Sequence, residues 1–206
     1  LPELGEDNTM QTTFHTFLES QLTEFNTVES FTSFVERYYK YEEKNPQLVK
    51  YKQSDDMIKC IDNYAKRITN GAKFIDDYVT HDFEIPKEEL NDLLKDRYNK
   101  LLLFDRIAHI SEYYSRKYYN GNKSKQKSIE SKLYKLLNIK KDYKKIYKDF
   151  LHSPEFLINY KGTITEKEIL ETVAHKNIRY EDACLLVYLK GVLTGFDYQG
   201  QIKEVV

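Results

Sequence analysis

Residues 86–151 read PKEELNDLLKDRYNKLLLFDRIAHISEYYSRKYYNGNKSKQKSIESKLYKLLNIKKDYKKIYKDFL, and Pro86 is the only proline in this stretch. Pro86 suits the first turn of a helix, where its missing N–H leaves no hydrogen bond unmade. Asn120, Gly121 and Asn122 are residue types typical of a turn. The stretch therefore predicts a helix over residues 86–119, a turn, and a basic helical arm over residues 124–151, in which Asn138 is a weak point between two helical segments.

The apolar residues of the first of these helices recur at three- and four-residue steps, which places them on one side of a helix. One stripe consists of Leu90, Leu94, Tyr98, Leu101, Phe104 and Ala108, and a second widens it with Leu93, Leu102, Leu103, Ile107 and Ile110. A helix that is apolar around most of its circumference is enclosed by other elements. We therefore expect residues 90–110 to form the central helix of the protein.

Shorter amphipathic helices are predicted before this stretch. Phenylalanines recur at helical spacing in residues 10–25 and 31–41, which favours two short antiparallel helices joined by a turn. Ser54 followed by two aspartates is a favourable helix start, and an apolar stripe continues from there to residue 78. Gly71 lies inside this stripe, where the helix either bends or ends.

A smaller helical region is predicted after residue 152. Ser153 and Pro154 indicate a helix start, and Thr165 with Glu168 has the pattern of a capping box. A further helix is expected over residues 180–190, followed by a short hairpin after residue 191.

Two helices and a hairpin are also the outline of a winged helix, but its second helix would begin with Glu181 and Asp182. Carboxylates at this point repel phosphate and disfavour DNA recognition. The sequence thus predicts an all-α fold with two parts. Residues 1–152 form an elongated helical bundle with a long central helix, and residues 153–206 form a small helical, winged-helix-like subdomain packed on it.

The net charge of −1 conceals an uneven distribution. Residues 1–52 carry 9 acidic and 5 basic side chains, whereas residues 116–148 carry 12 basic and 2 acidic ones. The acidic first third and the basic arm could pair within one molecule or between two copies. A concentrated positive charge also predicts an anionic partner.

Two cysteines, Cys60 and Cys184, are too few for a disulfide framework, and both lie in apolar helical patterns, so we expect reduced thiols. No apolar run reaches the roughly 18 residues that span a bilayer. The opening residues lack the charged and apolar regions of a signal peptide. We therefore expect an intracellular protein, cytoplasmic or nuclear, without a transmembrane segment.

Catalytic and cofactor-binding patterns do not stand out. The five histidines include no pair at positions i and i+4 that would hold a metal. Asp105, His109 and Glu112 share one side of a helix and could bind a cation or exchange protons, but a surface ion pair explains them as well. The glycines are spaced too widely for a phosphate-binding loop. We expect neither enzymatic activity nor a cofactor.

The most distinctive local pattern mixes tyrosines and cations around the predicted turn. The cations would neutralise phosphates, and exposed tyrosines could stack on unpaired bases. A basic surface also attracts anionic lipid. The alternative is a solvated helix face whose tyrosines pack inward. The candidate partner-binding residues are Tyr113, Tyr114, Arg116, Lys117, Tyr118, Lys123, Lys125 and Lys127.

Three functions are compatible with these patterns. The first is a non-enzymatic protein–protein interaction or scaffolding module, with another protein or a second copy of the chain as partner. The second is nucleic-acid binding through residues 113–148. The third is peripheral binding to an anionic membrane surface.

Overall fold

The computed structural model describes residues 13–40, 43–174 and 176–195, with the backbone alone at residues 173 and 174. Eleven α-helices, one π-helical turn and four two-residue strands make up this part of the chain. The protein is mostly helical, which confirms the predicted all-α class.

The α-helices are α1 (Phe14–Gln21), α2 (Phe31–Tyr39), α3 (Pro46–Lys52), α4 (Asp56–Gly71), α5 (Lys87–Asp92), α6 (Leu103–Tyr119), α7 (Lys123–Leu136), α8 (Tyr143–Leu151), α9 (Pro154–Leu157), α10 (Glu166–Ala174) and α11 (Tyr180–Thr194). The π-helical turn (Leu93–Arg97) follows α5 directly. The strands are β1 (Thr27–Val28), β2 (Tyr78–Val79), β3 (Glu84–Ile85) and β4 (Asn177–Ile178).

The single helix predicted over residues 86–119 is wrong. α5 leads into the π-helical turn, and the chain then leaves helical geometry until α6 begins at Leu103. α6, with 17 residues, is the longest helix of the described chain. Ending one helix and starting another allows Leu103 and Phe104 to reach the core, where they are 1% and 2% exposed.

An arginine stabilises this break. The guanidinium of Arg106 donates three hydrogen bonds to backbone carbonyl groups that a continuous helix would have bonded to N–H groups. The acceptors are the oxygens of Leu94, Asn99 and Leu101, at 3.2, 2.8 and 2.8 Å. Because neither glycine nor proline marks the position, the sequence carries no conventional sign of the break.

The helix at the centre of the molecule is α11, which contacts α1, α3, α4, α6 and α8. The prediction that residues 90–110 form the central helix is therefore wrong. Most apolar residues of that segment are nevertheless buried. α11 is enclosed because apolar side chains surround it on several sides: Ala183, Leu185, Leu186, Val187, Leu189 and Leu193.

Two small sheets are present, one between distant segments and one between neighbouring segments. β1 pairs in parallel with β4, with Thr27 opposite Asn177, and β2 pairs antiparallel with β3. β1 lies between α1 and α2, in place of the simple turn that was predicted there. Two-residue strands were missed because they are too short to show the alternating pattern of a strand.

The predicted turn and the weak point in the basic arm are both confirmed. Asn120 and Gly121 have positive φ angles of 50° and 75°, and α6 ends just before them. Asn138, with a φ of 54°, separates α7 from α8. The basic arm therefore consists of two helices rather than one.

The predicted helix starts of the C-terminal region are also confirmed. Ser153 Oγ accepts a hydrogen bond from the N–H of Phe156 at 3.3 Å. Thr165 and Glu168 form the capping box, each side chain accepting from the other residue's N–H at 3.2 and 2.7 Å. Farther back, α4 ends at Gly71 rather than bending there.

The predicted hairpin is wrong in its first residues, because α11 continues to Thr194. Residues 196–206, which would complete it, lie outside the described chain. The winged-helix outline and the boundary between residues 1–152 and 153–206 stay predictions.

Candidate functional site

The sequence-predicted site lies on the hairpin of α6 and α7, which pack against each other. Hydrogen bonds from Gly121 N–H to Ser115 O and from Asn122 N–H to Tyr119 O, both 3.0 Å, close its turn. The buried Ser115 hydroxyl donates to Asn122 O at 3.0 Å. Asn122 Oδ1 accepts from the N–H of Lys125 and begins α7. The basic ends of the two helices are thereby held next to each other.

Strand β2 and the loop that leads to β3 pack on this hairpin through aromatic rings. Phe83 stacks on Tyr118 with ring centroids 3.9 Å apart, and lies parallel to Tyr78 at 5.8 Å. Lys132 lies over the ring of Tyr78 at 4.5 Å and donates a hydrogen bond to Val79 O. Part of the tyrosine cluster predicted as a contact surface is therefore used inside the fold.

The three predicted tyrosines differ in accessibility. Tyr114 is fully buried, and its hydroxyl donates to Glu89 Oε1 at 2.6 Å. Burial, followed by this hydrogen bond, raises the pKa of Tyr114. Tyr114 is thus a core residue that no partner can reach. Tyr118 is 37% exposed, with one face on Phe83, and Tyr113 is half-buried.

The predicted cations are all exposed: Arg116, Lys117, Lys123, Lys125 and Lys127. Among the described residues, only Arg116 of this group has a carboxylate within 4.0 Å, Glu112 Oε1 at 2.6 Å. The ammonium groups of Lys117 and Lys125 lie 5.2 and 5.0 Å from tyrosine ring centroids. Such contacts attract a cation but leave its positive charge in place.

The rest of the basic arm is also short of carboxylates. Of the 12 basic side chains in residues 116–148, three have a carboxylate partner within the described chain: Arg116, Lys141 and Lys148. The other nine have none there, and they create a positive potential around α6, α7 and α8. We name the exposed ammonium groups of α6 and α7 the lysine surface: Lys117, Lys123, Lys125, Lys127 and Lys135.

The acidic first third of the chain does not neutralise this arm within the described residues. Glu24 pairs with Lys190 at 2.6 Å, and Glu29 pairs with Arg37 at 2.8 Å. The carboxylate partners of the arm come instead from α6, α7 and α10. Within the described residues, most of the positive charge of the arm therefore has no carboxylate partner.

A groove of about 640 Å³ lies where the π-helical turn meets α6. A volume of this size is within the range of roughly 300–1,000 Å³ that is usual for ligand sites. The groove brings three predicted residues together with four others. Its lining residues are Arg97, Tyr98, His109, Glu112, Tyr113, Arg116 and Lys117.

The π-helical turn is what places a cation and a ring beside α6. Tyr98 N–H donates to Leu93 O at 2.9 Å, five residues back. Such wide turns occur frequently at functional sites because they redirect side chains. The loop that follows is held by Arg106, and α6 then runs alongside Arg97 and Tyr98. The contribution of Arg97 and Tyr98 was missed because they appeared to belong to the same straight helix.

Cations and aromatic rings alternate along the groove. The guanidinium carbon of Arg97 lies 5.7 Å from the ring centroid of Tyr98 and 5.2 Å from that of Tyr113. The ring of Tyr98 lies 5.5 Å from that of His109. His109 Nδ1–H donates to Asp105 O at 2.9 Å, and none of the described residues bonds its Nε2. The groove therefore offers two guanidinium groups, an ammonium group, an imidazole nitrogen and two phenol rings.

Asp105, His109 and Glu112 do not act as one cluster. His109 bonds a backbone oxygen, and Glu112 pairs with Arg116. Burial raises the pKa of Asp105. In the part of the chain that the structure describes, no three His, Cys, Asp or Glu side chains meet as a metal ion would require.

A cluster of buried charges between α2, α3 and α11 was missed from the sequence. Lys52 and Asp182 are paired at 2.7 Å, with side chains only 5% and 3% exposed. Arg37 of α2 binds three carboxylates: Glu29, Glu43 and Glu181. The sequence did contain one signal of this cluster, the presence of Glu181 and Asp182 at the start of a largely apolar helix. Charged residues there need buried partners.

This cluster borders a cleft of about 100 Å³, but its charged side chains already form ion pairs with one another. Burial, followed by the charge of Asp182, raises the pKa of Glu181, while Arg37 opposes the rise. The hydroxyl of Tyr147 donates to Asp182 Oδ1 at 2.5 Å. The cluster joins the N-terminal helices to α11 and is structural, whereas the cations of the groove and the lysine surface face solvent.

Comparisons with known proteins add no assignment: no protein-family model, no curated protein and no solved structure matches the chain. No helix in the described residues is long and apolar enough to cross a membrane.

Proposed function

We propose that the protein is a non-enzymatic interaction module whose lysine surface recruits an anionic macromolecule. The supporting observation is that nine of the 12 basic side chains in residues 116–148 have no carboxylate partner in the described chain. A concentration of like charge is unfavourable for the isolated protein, but it accelerates and strengthens association with an oppositely charged molecule.

An acidic protein segment is one class of partner that suits this surface. Carboxylates would replace solvent around the lysines, and the attraction would weaken as salt shortens the range of electrostatic forces. A second copy of the chain is the other protein partner, since residues 1–52 are acidic. Anionic lipid would be attracted by the same charges.

A triple charge reversal tests the proposal. Lys123, Lys125 and Lys127 become glutamate, and anisotropy measures binding to labelled poly-glutamate, single-stranded DNA and anionic vesicles at low and high salt. Glutamate is favourable near the N-terminus of α7, so the variant should fold. We expect affinity for at least one polyanion to fall more than about tenfold, since each near-surface charge contributes roughly 1 kcal/mol.

A matched control reverses three exposed lysines elsewhere: Lys59, Lys66 and Lys73. It changes the net charge equally, so it should lose much less affinity if binding is local to the lysine surface. Equal losses in both variants would mean that net charge alone attracts the ligand. Sedimentation equilibrium at both salt concentrations detects self-association. A parent protein that binds no polyanion and remains monomeric would end the proposal.

A further inference from the structure

We propose that the groove between the π-helical turn and α6 binds an unpaired nucleotide, which makes single-stranded nucleic acid the anionic partner. This inference rests on the proposed function and selects one class of partner for it. The groove supplies what a nucleotide requires in addition to positive charge, namely aromatic faces next to cations.

The rings distinguish a nucleotide from an acidic peptide. Tyr98 and Tyr113 both line the groove and are only half-buried, so part of each ring is available to a ligand. A base has a flat π-face that stacks on such a ring, whichever base it is. An acidic peptide has no flat group that would stack in this way, and the lysine surface alone would be enough to bind its carboxylates. The pairing of rings with cations therefore favours nucleic acid.

The guanidinium of Arg97 lies next to both rings, and its exposed side chain can change rotamer. Its guanidinium carbon lies within 6 Å of both ring centroids, at 5.7 and 5.2 Å, while the residue itself is exposed. An exposed side chain changes rotamer quickly. When a base stacks on Tyr98, the guanidinium can turn to a phosphate, for which its planar donor fork is well suited.

The remaining lining groups continue the phosphate path. Arg116 and Lys117 follow Tyr113 on α6, and the rise of about 1.5 Å per residue places Lys117 roughly 6 Å farther along the helix. The turn lies beyond, followed by the first residues of α7, which include Lys123 and Lys125. Glu112 pairs with Arg116 and limits how closely a phosphate approaches that wall. The groove would thus hold the base, and the lysine surface the strand that leaves it.

The test separates stacking from charge by changing the ligand. Two labelled single strands of about twelve nucleotides, within the usual footprint of such proteins, carry the same phosphates. One is oligothymidylate and the other has abasic sites throughout. Anisotropy at low salt measures both, along with poly-glutamate and duplex DNA. We expect oligothymidylate to bind at least about tenfold more tightly than the abasic strand, as one base stack allows.

Two groove variants then locate the stack. Tyr98→Leu removes one ring, and Arg97→Gln removes an exposed cation without touching the core. Tyr39→Leu is the matched control, because Tyr39 is a 69% exposed tyrosine on α2. We expect Tyr98→Leu to bring oligothymidylate to within about threefold of the abasic strand. Arg97→Gln should weaken the binding of both strands. The control should bind like the parent, and thermal melting confirms that each variant is folded.

The outcomes distinguish the two proposals. Equal binding of both strands, with both lost in the lysine reversal, would overturn the nucleotide site and leave the polyanion-binding function standing. Preference for poly-glutamate over either strand would do the same and assign an acidic protein. Tight binding to duplex DNA and none to single strands would also overturn the site. Absence of binding to any polyanion, in a protein that also remains monomeric, would overturn both proposals.

Discussion

The ammonium group of Lys52 in α3 lies 2.7 Å from Asp182 Oδ1 in α11, and both side chains are almost completely buried. The hydroxyl of Tyr147 donates to the same carboxylate oxygen at 2.5 Å. Transferring charges from water into the interior is costly, so such a pair adds little net stability over an apolar replacement. Removal of one partner is severe, because the other charge is then buried without compensation.

We expect Lys52→Met to lower the free energy of unfolding by about 3–5 kcal/mol, because Asp182 keeps only neutral donors. Urea denaturation measures this change. The matched control is Lys50→Met, two residues earlier on the same helix, where the side chain is exposed. It should change stability by less than about 0.5 kcal/mol. Similar values for both variants would show that Lys52 is not buried beside Asp182.

Glu181 should make folding depend on pH in a predictable direction. Burial, and then the charge of Asp182, raises its pKa above the ordinary value of 4.5, with Arg37 opposing the rise. A carboxyl with a raised folded pKa binds its proton more tightly in the folded protein. Its contribution to stability is therefore complete below the ordinary pKa, and is lost as pH rises through the folded pKa.

We expect Glu181→Gln to gain stability relative to the parent as the pH rises from about 4.5 toward neutrality, because glutamine cannot ionise. The absolute stability of the variant also reflects its weaker bond to Arg37, so the slope of the difference is the relevant quantity. Denaturation at several pH values gives that slope. Glu36→Gln, at an exposed position of α2, is the control. A difference that stays constant or falls with pH would contradict the expected direction.

Signals carried by one or two residues predicted local structure well. The αL residues Asn120 and Asn138, and the capping box at Thr165, were recognisable because each depends on the chemistry of its own neighbours. The break before α6 was not recognisable. It is stabilised by the guanidinium of Arg106, which donates hydrogen bonds to backbone carbonyl groups up to twelve residues earlier in the chain. The buried charge cluster likewise depends on pairs such as Arg37 and Glu181 that meet only in the folded chain.

The candidate site shows the same division. Cations around the turn could be named from the sequence, because lysines at a helix start are usually solvated. Which tyrosines face solvent could not be predicted, because that depends on the loop between β2 and β3, whose Phe83 covers one face of Tyr118. Periodicity alone placed Tyr98 in the core helix, whereas the π-helical turn brings it into the groove. Whether a side chain of the candidate site is buried or exposed could therefore not be predicted from the sequence, because it depends on tertiary contacts.

We expect Arg106→Lys to lower the free energy of unfolding by about 2 kcal/mol, although the charge is kept. Lysine replaces at most one of the three carbonyl contacts, and each lost hydrogen bond contributes roughly 1 kcal/mol. Arg97→Lys is the control, since Arg97 is exposed and bonds no backbone oxygen in the described chain. Amide hydrogen exchange should report faster exchange in residues 93–102 of the Arg106 variant alone. Unchanged exchange there would show that the break does not depend on this guanidinium.

Tyr114→Phe separates the two roles that the aromatic stretch was expected to combine. The hydroxyl of Tyr114 donates to Glu89 Oε1 at 2.6 Å beneath the surface of the hairpin. Removing it should lower the free energy of unfolding by about 1.5–3 kcal/mol, the range for a hydrogen bond to a charged group. Because no ligand can reach the ring, affinity for oligothymidylate or poly-glutamate should stay within about twofold of the parent at temperatures where both are folded.

The same measurements on Tyr113→Phe provide the comparison, since Tyr113 is half-buried and lines the groove. Phenylalanine retains the ring, so stacking should be kept and stability should change little, because none of the described residues forms a hydrogen bond with this hydroxyl. A large loss of affinity in Tyr114→Phe, at unchanged stability, would place the Tyr114 hydroxyl in contact with the ligand. That result would require α5, which carries Glu89, to move away from this side of α6 on binding.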